Sequence, residues 1–318
     1  AIAARPARAT VAAPTLGLLC RTRMQVEAAL SIEGIHELVL DFLEVHGLKD
    51  ACLQVQAAGR RLVVAAPRIF KPGEERLWRY YCRLEPDALL VRSAGLLWSL
   101  QRLGGSGTLL DDGKTRIPPL HGDFSLNSAN LISARYLLKA GIKRLTLSHD
   151  LNAAQIEALV RSLPAEERDC IEIIAHHHMP IFHTEYCVFA RFLSDGNNYR
   201  DCGRPCEHHI VHLRDPGGGD HLVQADIGCR NTVFNAAAQS AGPLLGNFLN
   251  AGIRHYRVEL VDEPGHEVAG IVDSYRLALA GQLSPQTLRQ RLGKVSDAND
   301  RPQGVGLGSL AVRVEPHR

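Results

Sequence analysis

Four cysteines, Cys187, Cys202, Cys206 and Cys229, fall in one stretch of the chain and are separated by 14, 3 and 22 residues. Thiolates are soft ligands for zinc or for iron-sulfur clusters, and a Cys-x3-Cys pair can place two sulfurs on one ion without chain strain. Gly203, Pro205 and Gly228 stand beside them, so the stretch reads as turns rather than as packed core. Spacing alone leaves zinc and iron-sulfur both open. The other four, Cys20, Cys52, Cys82 and Cys170, lie in or beside apolar runs and read as small core residues. Eight cysteines in 318 residues are too sparse for a disulfide scaffold, which points to a reducing compartment.

A second set of candidates depends on the elements that carry it. Short apolar runs alternate with amphipathic stretches, as βα units require. The predicted strands are Thr15 to Cys20, Glu37 to Phe42, Arg61 to Ala66, Ala88 to Arg92, Pro119 to Asp123, Arg144 to Ser148, Ile171 to Ala175 and His255 to Leu260. Several are β-branched runs without polar alternation, as strands buried on both faces should be. Gly59, Gly104, Gly141 and Gly252 fall where helix C-caps belong. Eight such units favour an α/β fold of the (β/α)8 TIM-like barrel type, with a long cysteine-bearing insertion between strands 7 and 8.

In such a barrel the residues just past each strand converge on one mouth. Here they are rich in His and Arg and poor in Lys, which suits an anionic substrate and a general base or metal. His121, Asp123, His178 and Glu259 are the catalytic candidates, and Arg68 and Arg92 the anion-binding ones. Cys20 and Arg21 close the first strand. Asp41 and Glu44 fit structural ion pairs equally well, and Asp150 reads as the cap of a helix beginning near Ala153. Of the strand-borne triplet His176, His177 and His178, either His176 or His178 is expected to face the cavity, with the other turned outward.

A net charge of +2 argues against a duplex-wrapping protein but leaves a local RNA-sized patch open. No apolar run is long enough for a membrane span. Ala1 to Pro14 is Ala- and Arg-rich without an acid and reads as an unstructured linker or transit-like segment. Residues 15–281 are expected to form the barrel and 282–318 a C-terminal helix and polar tail, loosely attached from Ser296 to Gly308. A cytoplasmic location is expected, with plastid stroma as the alternative.

The segment IEIIAHHHMPIFHTEYCVFARF followed by RDCGRPCEHH resembles the cysteine-bearing core of the peptidase U32 family. SLNSANLISARYLLKAGIKRLTLSHDLNAAQI resembles its passage from strand five to strand six, which brings in Asn127. AGIRHYRVELVDEP resembles its Lys-Ile-Glu-Gly-Arg segment, with Arg257 at the Lys and Glu259 at the Glu, and Tyr275 and Arg276 match a Tyr-Arg pair on its last helix. Two departures stand out: Ser194 occupies a position where many members have a further cysteine, and Leu260 and Val261 replace the Gly-Arg.

The resemblance implies a 4Fe-4S cluster on Cys187, Cys202, Cys206 and Cys229, with Cys20 as reserve ligand and zinc as the alternative metal. It implies oxygen-independent hydroxylation of an RNA base or of a small aromatic or quinone ring, with prephenate as oxygen donor and a second U32 subunit as partner. The family name carries the runner-up, a collagenase-like peptidase. No HExxH or GxSxG motif supports proteolysis, leaving Cys187 near His183 as the one thiol-imidazole pairing to consider. A third reading is a non-catalytic barrel stapled by a four-cysteine zinc site.

Overall fold

The computed structural model describes residues 13–42, 47–196, 200–226, 228–295, 302 and 304–312. Glu44, most of the Ala1 to Pro14 segment and much of the tail from Ser296 lie outside the described residues. In chain order the strands are β1 (Thr15–Cys20), β2 (Glu37–Leu40), β3 (Arg61–Ala65), β4 (Ala88–Val91), β5 (Leu120–Gly122), β6 (Ile142–Thr146), β7 (Ile171–His177), β8 (Pro180–Thr184), β9 (Val211–Arg214), β10 (Asp220–Ala225), β11 (Asn231–Phe234), β12 (Ala238–Ser240), β13 (His255–Glu259) and β14 (Val305–Gly306). The helices are α1 (Arg23–Leu30), α2 (Leu48–Ala57), α3 (Glu75–Arg83), α4 (Ala94–Arg102), α5 (Leu131–Lys139), α6 (Ala153–Ser162), α7 (Ala165–Arg168), α8 (Val188–Leu193), α9 (Leu245–Ala251), α10 (Gly265–Leu279) and α11 (Pro285–Leu292).

Strands β1 to β7 pair in parallel order, and β13 closes onto both β1 and β7. The result is the (β/α)8 TIM-like barrel expected from the eight units. Alternation along the strands sorts their side chains. Leu18, Leu38, Leu62, Val64 and Leu89 join the large core between strands and helices. Leu19, Val39, Val63, Ala65, Ala88 and Leu90 form a separate apolar cluster inside the barrel.

Local signals set the element ends. Asn130 and Asn152 cap α5 and α6 through reciprocal bonds with Ser133 and Gln155. Asn152 therefore holds the position first given to Asp150, whose carboxylate accepts from the Ser148 hydroxyl instead. Gly59 and Gly141 follow α2 and α5 with φ of 66° and 98°, a region an L side chain rarely adopts.

The insertion between β7 and β13 builds its own antiparallel sheet in the order β8-β11-β10-β9. Strand β12 then runs antiparallel to β7 and carries β14 on its other edge. Leu288 and Leu292 of α11 are buried in the main core. No helix among the described residues is long and apolar enough to cross a membrane.

Candidate active site at the barrel mouth

Charge fills the part of the barrel interior that the apolar cluster leaves. Arg92 donates two bonds to Asp41 at 2.6 and 2.9 Å and a third to Asp123 at 2.9 Å. Arg257 reaches Asp123 at 2.7 Å and Glu259 at 2.9 Å, and also holds Glu172. Arg21 lies 3.1 Å from Asp41 and 3.7 Å from Glu259. Below them Arg144 bridges Glu37 at 2.5 Å and Glu172 at 3.5 Å. Every one of these side chains is largely withdrawn from water.

Burial so deep would push carboxylates toward neutrality, but partner charge decides the outcome. Burial raises the Asp123 carboxyl, yet Arg257 and then Arg92 outweigh it and hold it well below the usual range. Glu259 goes the other way: burial comes first, the Asp123 charge adds to it, and its carboxyl is held above the ordinary value despite Arg257.

Above this network opens a small cavity whose water-accessible space is about 40 Å³. Its charged and polar lining includes Arg21, Arg68, Arg92, His183, Asp226 and Glu259, and its aromatic walls are Phe42, Tyr81, Phe124 and Phe234. Arg68 stacks over Phe124 at 5.2 Å, and its Nη1 is buried without a hydrogen-bond partner. Burial and then the neighbouring Arg92 charge lower its proton affinity, so an anion placed there would relieve both. Phe124 also stacks on His149 at 4.0 Å, and His149 on His177 at 4.7 Å. Both nitrogens of His177 and Nε2 of His149 are buried without partners. Burial, followed by the facing His149, drives the His177 pKa far below its ordinary value, and burial takes that of His149 to about 4.

The insertion sheet roofs this cavity through Pro180, His183, Asp226, Thr232 and Phe234. Arg230 clasps it to the barrel, bonding Glu185 at 3.0 Å, Glu74 at 3.2 Å and the Ile69 carbonyl at 3.3 Å. His183 gives or takes a bond with the Thr232 hydroxyl at 2.9 Å, and burial, with Arg68 next, lowers its pKa to about 4.

The cysteines lie along this insertion. Cys187 immediately precedes α8, and Cys206 sits in the single turn Pro205–Glu207. Both pack against the cluster of Phe189, Val223 and Val233. The Cys202 sulfur accepts from the Arg204 amide at 3.4 Å, and Cys229 occupies the turn between β10 and β11 with φ of 56°. Cys187 and His183 make no hydrogen bond with each other. As a donor set four thiols suit an iron-sulfur cluster, and two of them share one apolar patch. They are not gathered round a common point: among the described residues no three His, Cys, Asp or Glu side chains stand at the separations a bound metal would impose. The arrangement is therefore not a preformed cluster cage.

The other sequence candidates divide. Arg68, Arg92 and Glu259 line the cavity. Asp123 and Arg257 lie beneath it in the ion network. His121 is buried on β5, where burial and then the Arg144 and Arg61 charges lower its pKa to about 2. Asn127 is exposed in a left-handed turn after Phe124–Leu126 and does not border the cavity. Cys20 faces the helix-side core, and burial pushes its thiol pKa far up. The triplet also departs from expectation: His177 turns toward His149, while His176 and His178 both turn away toward Glu263. Strand alternation requires this, because residues two apart share a face. Arg21, His149, His177 and His183, none of them among the catalytic or anion-binding candidates, also stand at the cavity or mouth.

Residues 46–302 match the family model described as Peptidase family U32. A structure described as that of the U32 peptidase Mk0906 aligns at 13% identity and a TM-score of 0.45, over 79% of this chain and 94% of that one. An uncharacterized B. cereus protein aligns at 9% identity and a TM-score of 0.32, over 81% of this chain and 64% of that one. No curated protein matches.

Proposed function

We propose, for a chain that belongs to the peptidase U32 family, an enzyme that works at the barrel mouth and hydroxylates an RNA base or a small aromatic or quinone ring without O2. The observation that carries this reading is the cavity lining: four aromatic side chains beside Arg68, whose buried Nη1 has no hydrogen-bond partner, favour a flat ring bearing negative charge. Cys187, Cys202, Cys206 and Cys229 would hold the 4Fe-4S cluster after the insertion draws them together, zinc being the alternative metal. A bound cluster would supply one-electron chemistry. The protein's own contribution is binding and exclusion of water, with Arg68 as the anion anchor and prephenate as a fitting dianionic oxygen donor. His149 and His177 present neutral imidazoles beside the ring site. A second U32 subunit is a fitting partner.

The peptidase reading needs a thiolate beside a base. Cys187 and His183 do not form that pair, and His183 has too little proton affinity to take a thiol proton readily. The deciding experiment compares modified nucleosides and quinones in cells with and without the gene, alongside peptide cleavage by iron-free protein. Loss of one hydroxylated base or ring, reproduced by Cys206→Ser but not by Cys52→Ala, is the expected result. Cleavage by iron-free protein that disappears in Cys187→Ser would overturn it.

Arg68 supplies a narrower prediction. Arg68→Lys should weaken binding of a small cyclic dicarboxylate by about tenfold or more, because Lys cannot reproduce a bidentate fork. The unfolding midpoint should move little, since among the described residues Arg68 has no ion-pair partner within 4 Å. Calorimetric titration of the two proteins with prephenate checks this, and equal affinities would remove Arg68 from the site.

A further inference from the structure

Three buried nitrogens of the roofed cavity have no hydrogen-bond partner: Nε of Arg21 just past β1, Nη1 of Arg68 in the loop after β3, and Nε2 of His183 on β8. Among the described residues they are the whole set of orphaned side-chain atoms in that lining, and no orphaned oxygen accompanies them. They come from three separate elements, so no local turn or cap accounts for their convergence.

Two of the three can only donate, because a guanidinium has no acceptor. The surroundings of His183 make it the third. Asp226 Oδ2 lies 3.9 Å from its Nε2, and the Thr232 hydroxyl meets its Nδ1 at 2.9 Å. A carboxylate accepts whereas a hydroxyl can do either, so the proton belongs on Nε2 and Thr232 donates to Nδ1. The ring is neutral, since burial and then Arg68 lower its pKa to about 4, and the Asp226 contact is therefore no ion pair. Both arginines are stacked, Arg21 over Phe234 at 5.0 Å and Arg68 over Phe124 at 5.2 Å, which leaves their N–H edges for bonding.

Three donors buried together without an acceptor are costly, and they ask for an occupant with three acceptor atoms. Arg68 sets its charge: among the described residues it is the one lining arginine with no carboxylate within 4 Å, Arg21 and Arg92 both being paired with Asp41. Asp41, Asp226 and Glu259 on the same lining would repel a second negative charge. The water-accessible space of about 40 Å³ sets its size, equal to that of about three waters. The flat faces of Phe42, Phe124 and Phe234 favour a planar group over a tetrahedral one.

We propose that Arg21, Arg68 and His183 form a pocket for a short 2-oxo acid, or for the 2-oxo-acid end of a larger ligand, with the carboxylate against Arg68 and the keto oxygen against Arg21 Nε and His183 Nε2. Such a group carries one negative charge and three acceptor oxygens in one plane. The inference rests on the barrel mouth being the working site, but not on the chemistry done there.

The test titrates the full chain, kept anaerobic, with sodium pyruvate and with sodium propionate, which lacks only the keto oxygen, and follows binding by saturation-transfer NMR. Pyruvate should saturate, and propionate should bind at least tenfold more weakly, because a site built to hydrogen-bond a group rejects the analogue that leaves its donors unpaired. His183→Phe keeps a flat ring and removes one donor, so the ratio between the two acids should fall below about threefold while the unfolding midpoint moves little. Should that variant fail to fold, the two acids on the unsubstituted chain still decide. Absence of saturation, equal affinities, inorganic phosphate bound as tightly as pyruvate, or an unchanged ratio in His183→Phe would overturn the pocket. No turnover enters these readings, so unaltered nucleosides and quinones in cells lacking the gene would sink the hydroxylase and leave the pocket standing.

Discussion

Arg257→Met is expected to cost the fold about 3–5 kcal/mol, because it strands buried carboxylates instead of removing a pair. Arg257 bridges all three of Asp123, Glu172 and Glu259, and the side chains involved are almost fully buried. Methionine fills much of the volume, so the loss reports charge and not a cavity. Urea unfolding of the single variant and of Arg257→Met with Asp123→Asn makes the check. The pair should be less destabilised than the sum of its parts, since neutralising Asp123 removes one of the stranded charges. A single-variant loss under about 1 kcal/mol would mean that the carboxyls take up protons at little cost.

The second large effect is on pH. His121, His149 and His177 are buried and neutral, with pKa values lowered to about 2, to about 4 and well below the ordinary value. In the unfolded chain each titrates near 6.5. Below that pH the unfolded state binds protons that the folded state refuses, so stability must fall with acidification. Each histidine contributes about 1.4 kcal/mol per pH unit between 6.5 and its folded value. By pH 5 the three together should remove about 4–6 kcal/mol. Glu259 opposes this, since a carboxyl raised on folding adds stability as it takes up its proton. Its window lies lower, from above the ordinary carboxyl value downward. Unfolding midpoints at pH 7.5, 6.5, 5.5 and 5 should show a slope that His149→Phe reduces by about a third. A flat profile over that range would contradict the buried, neutral state of these rings.

Much of the barrel is legible because its strands are runs such as Leu62, Val63, Val64 and Leu89, Leu90, Val91, the first preceded by Gly59 where α2 ends. The expected boundaries shift by one or two residues, and Asn152 could have been recognised over Asp150 from its Asn-x-x-Gln spacing. The insertion sheet was readable in part, since Asp215-Pro216-Gly217-Gly218-Gly219 is a turn between two strand-like runs. The interior network was not legible. Arg92 and Asp123 are 31 residues apart, Arg257 and Asp123 are 134 apart, and each alone looks like a residue of an open active site. Only closure of the barrel turns them toward one another. The same holds for Arg68, whose contact with Phe124 joins two separate βα loops.

That network spans the chain from Arg21 to Glu259, and the staves that complete it arrive last. Thr15 and His255 are neighbours across the seam although 240 positions separate them. At about 5–20 residues per second, ribosomal synthesis leaves about 12–48 s between them. Asp123 and Glu172 precede Arg257 by 134 and 85 positions, so each is made seconds before its Arg257 partner. A nascent or severed half-barrel would therefore hold an interior charge network missing Arg257 and Glu259, with Asp123 and Glu172 each left a single arginine partner. Closure should be all-or-none and late, and the chain should resist being split, circularly permuted or assembled from duplicated halves.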